Sequence, residues 1–582
     1  MIICYLILSL FFQFPPSPPA NVHIIRMSTV TNLSGSHRVG VTYLTWDVII
    51  GAGVTYDLYR SQSPITTLVG LTKIPVPLTQ ESYRLLYDDS GITDGQNLTS
   101  GLIITDNGSH LPSTKGFAAI ITHIGETGSW YYAVVNSTDQ SLVSGVNSLS
   151  SPIAETYADA PGGVVLNSSI VGSYTVVRTM FWEDIRTWVH ADWNYYGERV
   201  NFLIPNSGIS PPFPTLTILH GAGTTNYFEP TTGFGGIIDN GIIIQPVELD
   251  FASISDPYTG KDVPSASWIC RFNTSEDVWK TVSEDRLVRY SKIVRDNLLV
   301  GVNFQADPNR ISIYGASLGS SAAHIAGHHP EVYAAGGSAI GYASNGAGFF
   351  PNGTKKVNSA SGPTLNDYLD FAYQAAHVQL PPLSFTFGSR DPTGVLNPVL
   401  WEAVIPALDT YHQAYFVEWF DDVHNQRTPS YPPWDFNAGP NNWMRFRKNQ
   451  AYLAFSNLSS NDAVPSFPGN FAGQHNGKID YQSDGHPITS GFDIVDQVGF
   501  FSAYIRPTTD VAAGLVVTVR NAQLFKPNGT RLIIGTPYDG YAVVNTDGSV
   551  SATLIALTAN TTYHLSFNED TVLSAPVPYF KN

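Results

Sequence analysis

The chain is short of cysteine and of charge. Its 582 residues include two cysteines, Cys4 and Cys270, and Cys4 lies in an apolar N-terminal stretch. A mature chain left with one thiol has no internal disulfide framework and no cysteine-based structural zinc site. The surroundings of the other, Trp268-Ile269-Cys270-Arg271, match no cysteine-hydrolase signature, so Cys270 reads as an inert, partly buried thiol. Charged residues make up 13 %, about half the usual share. The net charge of −17 excludes a non-specific nucleic-acid binder, which needs a basic footprint. After the N-terminus no stretch reaches ~18 apolar residues, so no internal membrane-spanning helix is expected. The sequence lacks His-Glu-x-x-His, Gly-x-x-x-x-Gly-Lys-Ser/Thr and the dinucleotide fingerprint, and neither metal nor cofactor is expected. No repeat of ~20 to 50 residues is present, which excludes a solenoid.

What the chain does have is 43 % apolar residues, enough for sizeable cores, over a length that suits three or four domains. Ile2 to Phe14 are apolar except for Ser9 and Gln13, and Pro15-Pro16-Ser17-Pro18-Pro19 ends any helix there. An apolar core of ~12 residues is too short to span a bilayer and suits a signal peptide over residues 1–18. No Lys or Arg precedes Arg26, and the alternative is an N-terminally tethered protein. Ten Asn-x-Ser/Thr sequons, at Asn32, Asn97, Asn107, Asn136, Asn167, Asn273, Asn352, Asn457, Asn528 and Asn560, fit a secreted glycoprotein.

Three blocks follow. Residues 19–158 read as all-β, with period-two alternation in 41–46, 54–60 and 130–135. Residues 159–172, opening Asp159-Ala160-Pro161-Gly162-Gly163, read as a linker. From 173 to 460 strands alternate with helices, as in a mostly parallel α/β sheet: strands at 215–219, 241–245 and 311–314, a helix over 283–298, and a small-residue helix from Leu318 to about Gly327. Residues 461–582 read as a C-terminal β domain with strands at 514–519 and 552–557 and a hairpin turn at Asp547-Gly548.

The chemistry centres on Gly315-Ala316-Ser317-Leu318-Gly319. A strand enters this turn and a helix leaves it, so Ser317 sits on a tight elbow with its hydroxyl exposed. Glycines are needed there because side chains would collide with the neighbouring strand and helix. His220-Gly221-Ala222-Gly223 directly follows an apolar strand. It is the candidate source of one oxyanion-hole N–H, from Ala222 or Gly221; the other comes from Leu318. Chain order Ser, Asp, His then points to Asp391, just past the strand 383–388, and His424, just past the strand 414–419. His424 takes the Ser317 proton, and Asp391 orients the imidazole and stabilises its cation. Asp421 and Asp422 stand too close to His424 in the chain for that acid role and read as loop carboxylates, and His324 as a packed helix residue.

On these residues the central block resembles the α/β-hydrolase superfamily. Asp307-Pro308-Asn309-Arg310-Ile311-Ser312-Ile313-Tyr314-Gly315-Ala316-Ser317-Leu318-Gly319, with His329-Pro330-Glu331-Val332-Tyr333-Ala334-Ala335, resembles secreted esterases related to polyhydroxybutyrate depolymerases and feruloyl esterases. It is also similar to the prolyl-oligopeptidase-like hydrolase domain. Ser320 stands where many relatives have a second glycine, and Val423 where a glycine often precedes the histidine. The first block more loosely resembles a fibronectin type III sandwich. The resemblance implies a multidomain protein: a central α/β-hydrolase flanked by an N-terminal β-sandwich and a C-terminal β domain. The implied activity is a cofactor-free serine esterase whose partner is an ester substrate, held on a polymer or matrix by the β domains. The alternatives are a serine peptidase of the same fold and a non-catalytic extracellular binding or adhesion protein.

Overall fold

The computed structural model of the chain describes residues 29–51, 53–74, 78–79, 103–109, 111–112, 114–182, 184, 197–206, 210–221, 241–246, 278–279, 281–339, 354–390, 400–423, 446–464, 472–481, 495–497, 500–520, 530–534, 542–544 and 549–568. The expected signal peptide, Cys270 and the turn at Asp547-Gly548 lie outside these residues.

Near the N-terminus two antiparallel sheets face each other. One holds Thr31–Arg38, Val41–Asp47 and Lys115–Ile121; the other holds Leu78–Thr79, Thr55–Ser61, Gly128–Asn136 and Ile153–Glu155. Alternate residues of the two inner faces, among them Trp46, Tyr56, Leu58, Phe117, Tyr132 and Val134, form one core. The rings of Trp46 and Tyr56 meet edge to face at 5.5 Å. The Trp46 indole fills the place a Cβ on Gly116 would take. A buried carboxylate, Glu155, is reconciled with this core by hydrogen bonds from Thr42 (2.6 Å), Tyr132 (2.5 Å) and Arg60 (2.7 Å).

The span read as a linker is a strand for most of its length. Val164–Val171 (β1) pairs antiparallel with Tyr174–Trp182 (β2) around Gly172, whose φ of 58° suits a glycine turn. The Pro-Gly-Gly signal marks only the residues ahead of a buried Val164-Val165-Leu166 run. These strands open a ten-stranded sheet with Gly197–Pro205 (β3), Phe213–Leu219 (β4), Ile242–Pro246 (β5), Ala306–Ala316 (β6), Ala335–Ala339 (β7), Leu383–Gly388 (β8), Tyr415–Phe420 (β9) and Gly473–His475 (β10). The order across the sheet is β10-β9-β8-β7-β6-β4-β5-β3-β2-β1. Strands β4 to β9 are mutually parallel, and both flanks are antiparallel. The C-terminal ends of β4, β6, β8 and β9 therefore share one edge.

Side chains alternate across this sheet. Phe202, Ile242, Ile244, Ile311, Ile313, Val417 and Trp419 face a helical layer, in one core with Leu287, Ile293, Ala322, Ile325, Phe371 and Trp401. The helices are Val282–Arg295 (α1), Ser321–His328 (α2), Leu365–Tyr368 (α3), Phe371–His377 (α4) and Trp401–Thr410 (α5). Helix α1 ends earlier than expected because Asn297 turns left-handed at φ 53°. Leu298 N–H then reaches back to Ile293 O (2.9 Å), a Schellman closure that tucks Leu298 against the core without extending the helix.

The opposite face carries Leu203, Leu216, Ile218, Ile243, Tyr314 and Phe416. These pack against Leu453, Phe455, Phe501, Ile505, Val517 and Leu565 from a C-terminal antiparallel sheet that includes Tyr452–Ser456, Phe500–Pro507, Val516–Arg520, Val550–Thr553 and Tyr563–Asn568. The expected boundary at 460/461 is crossed in both directions. Tyr452–Ser456, assigned to the hydrolase block, pairs with Val516–Arg520, while Gly473–His475, assigned to the C-terminal block, is the β10 edge of the central sheet. The strand expected over 552–557 stops at Thr553. No helix among the described residues is long and apolar enough to cross a membrane.

Candidate active site

Ser317 stands at the junction of β6 and a single 3₁₀ turn, Ser317–Ser320, that leads into α2. Its φ is +56°, a left-handed conformation that a non-glycine residue adopts at a cost on the order of 1 kcal/mol. The surrounding glycines make the turn possible. A Cβ on Gly315 would lie 2.9 Å from Leu219 Cβ and against the Gly319 carbonyl. A Cβ on Gly319 would lie 2.9 Å from His220 O and against the Leu219 carbonyl. Small residues continue into α2, whose Ala323 Cα would stand 3.4 Å from a Cβ on Gly336 of β7. The helix thus lies close on the sheet, with Ser317 at its head and half-buried.

The loop after β4 comes to the same place. Leu219 pairs with Gly315, and a Cβ on Gly221 would meet Ser317 Cβ at 3.4 Å. His220, buried, donates Nδ1–H to the Gly221 carbonyl at 2.8 Å, which fixes the tautomer and the first peptide of the loop. Ser317, the backbone of Leu318 and Gly221 are therefore gathered at one point; Ala222 lies outside the described residues.

Two further strands end on this edge. Gly388 of β8 pairs with Phe420 of β9, and hydrogen bonding continues beyond both strands. Ser389 N–H and Oγ–H donate to Phe420 O at 2.8 and 2.9 Å, and Arg390 N–H donates to Asp422 O at 2.9 Å. The Arg390 guanidinium takes the Asp421 carboxylate with two nitrogens, Nη2 at 2.9 Å from Oδ2 and Nε on Oδ1. The described residues end at Arg390 on one side and at Val423 on the other, so the expected Asp391 and His424 lie just outside them. Asp421 is held in an ion pair with Arg390 of the neighbouring loop. His324 is fully buried in α2, stacked on Phe371 at 3.9 Å.

Behind α2 lies a buried polar cluster that the sequence did not announce. Glu284 of α1 accepts from His328 Nδ1 (2.8 Å), His329 Nε2 (3.0 Å) and the Tyr368 hydroxyl (3.0 Å). Burial pushes its carboxyl up, but His328 and His329 outweigh that and bring it down to about 2. Burial lowers His329, and hydrogen bonds to Glu284 and Glu331 raise it to about 10. The cluster ties α1, α2 and α3 together behind the elbow.

No family model matches the chain, and no curated protein matches it. Among solved structures it is similar to an S-formylglutathione hydrolase from Agrobacterium tumefaciens, at 15 % identity and a TM-score of 0.33 over 45 % of this chain and 92 % of the other. A thermostable esterase from Pseudomonas putida is similar at 12 % identity and 0.28, over 44 % of this chain and 77 % of the other. Both scores are low, and the reading of the site stands on the geometry of the elbow itself.

Proposed function

We propose that the chain is a secreted serine hydrolase of the α/β-hydrolase type that cleaves carboxylic esters. The observation that carries this reading is Ser317 at φ +56°, at the C-terminal edge of a parallel sheet, with Gly221 against it. A left-handed serine between a strand and a helix aims its hydroxyl off the sheet edge instead of into the core.

In this mechanism Ser317 Oγ attacks the ester carbonyl and its proton passes to His424. The N–H groups of Leu318 and of Ala222 or Gly221 hold the oxyanion. The carbon–oxygen bond to the alcohol breaks, and the imidazolium of His424 returns the proton to the departing alcohol. Water then enters by the same route and releases the acid from Ser317. Asp391 keeps the imidazole in the right tautomer throughout. We read the N-terminal sandwich as fibronectin type III-like on its three-plus-four strand pairing, and the β layers as elements that hold the enzyme on a polymer or matrix.

The test is Ser317→Ala with a serine-directed organophosphonate, on a panel of short soluble esters, polyester film and peptide amides. Ester turnover should fall by several decades in the variant while the circular dichroism is unchanged, and the reagent should label Ser317 alone. Near-native turnover in Ser317→Ala overturns the reading, and faster cleavage of amides than of esters replaces it with a peptidase.

A further inference from the structure

Loops that leave neighbouring parallel strands usually diverge, each toward its own helix. The loops after β8 and β9 do not. Over residues 388–390 and 420–423 they stay joined by the three hydrogen bonds from Ser389 and Arg390 described above. They are also pressed together where Gly388 has no side chain: a Cβ there would lie 2.7 Å from Asp422 O and against Val423 O. Asp422 N–H folds back on Phe420 O at 2.7 Å, and Asp422 Oδ1 caps Val423 N–H at 2.8 Å, so the second loop is a tight turn. The two-nitrogen contact of Arg390 with Asp421 closes the join from outside.

The side chains of that ion pair are 53 % and 48 % exposed. Exposed pairs add little to stability, so stability does not account for this one. A forked guanidinium on a carboxylate does fix direction, because it bonds at two points in one plane. Within the join, Arg390 and Val423 directly precede Asp391 and His424, the two positions that a serine hydrolase of this chain order needs.

We infer that Arg390 and Asp421, seated by Gly388, are positioning residues that hold the acid-bearing loop and the histidine-bearing loop in register. This rests on the proposed roles of Asp391 and His424. The pair touches no substrate. By joining the two loops it acts on the proposed Asp391–His424 couple, and so on the tautomer and basicity of the imidazole. A misplacement of about 1 Å at such a bond lowers the rate by as much as about 100-fold.

The experiment uses the full chain with a short soluble ester and compares Arg390→Lys, Arg390→Ala, Asp421→Asn, the double variant Arg390→Ala/Asp421→Asn and the charge-swapped Arg390→Asp/Asp421→Arg. Each single variant should lower kcat by about 10- to 100-fold with KM nearly unchanged. Each should also shift the acidic limb of the pH–rate profile to lower pH, as an imidazole less well held by its acid is less basic. The double variant should be no worse than the worse single one, and the swap should recover part of kcat. Arg390→Lys keeps the charge and loses the fork, so it should be impaired even if Arg390→Ala does not fold. Unchanged kcat and pH profile in Arg390→Lys and Asp421→Asn overturn the inference while an inactive Ser317→Ala leaves the triad standing. A fully active Ser317→Ala removes both.

Discussion

The two faces of the central sheet are covered in different ways. The helical face closes locally: α1 precedes β6, α2 follows it directly, and α5 lies between β8 and β9. The other face waits for strands drawn from residues 452–568, so that Leu216 and Ile218 find partners such as Phe501 and Leu565 hundreds of residues away. The N-terminal sandwich is different again. Its inner faces bury each other, and only Val164, Leu166, Met180 and Trp182 of β1 and β2 join that core. A β block with its own interior is an attachment, whereas a β block that shares its interior with the central sheet is a layer of the same fold.

Truncation gives the widest test of this contrast. A chain ending at residue 460 should be insoluble or inactive on any ester, since it bares the apolar face of the sheet and lacks β10. A chain beginning at 159 should stay folded and hydrolyse a soluble ester within a few-fold of the full chain, with some loss of melting temperature where Met180 and Trp182 are uncovered. Solubility and turnover of the two truncated chains decide it, and an active chain ending at 460 would break the distinction.

Point substitutions sharpen it. Trp46→Ala and Phe416→Ala each remove a fully buried aromatic ring, at a cost of about 3 to 5 kcal/mol. Calorimetry of Trp46→Ala should show an early transition separate from the main one, with ester turnover intact at 25 °C. In Phe416→Ala the main transition itself should move down, and activity should be lost with it. A single shifted transition in both would mean one cooperative unit.

The smallest effect is one of pH. Asp409, at the end of α5, lies on the seam with the C-terminal sheet, where Ser456 Oγ–H donates to its carbonyl at 3.2 Å and Arg520 donates to His412 O at 2.6 Å. Burial pushes its carboxyl up to about 6 against a hydrogen bond from Tyr415. A folded-state value above the unfolded ~3.9 contributes stability that is full below about pH 4 and lost as the pH rises through 6. The helical side runs the other way: Glu284, held near 2, contributes above about pH 4.5 and loses that as the pH falls toward 2. Asp409→Asn should therefore gain about 1 to 2 kcal/mol relative to the parent between pH 4 and 7. Melting curves over that range should show it, and parallel pH dependences of parent and variant would count against a buried, titrating Asp409.

What was legible in the sequence is what is local. The elbow could be read because its demand for glycine falls within five residues, and Gly315 and Gly319 do face backbone where a side chain would sit. The strands β4, β6, β8 and β9 carried their own apolar runs. Strand partnership was not legible, because no period in Tyr452–Ser456 says whether it lies beside β9 or beside a strand sixty residues on. A Pro-Gly-Gly stretch before β1 looked like a boundary because turn residues mark a bend without telling which elements flank it. Arg390 and Asp421 are 31 residues apart in two loops, and opposite charges at that spacing carry no signal of contact.

The borrowed cover of the central sheet also sets a timetable. When a ribosome has made the chain as far as Tyr314 and Ala316, the part of that face built by β1 to β6 has its strands but no lid. Leu565, which helps to cover it, is 249 residues later. At about 5 to 20 residues per second that interval lasts about 10 to 50 s. For that time the growing protein presents a flat, sticky slab to whatever surrounds it, with Ser317 at its rim. The yield of this protein is then governed less by how stable it becomes than by who keeps it company before its last strands arrive.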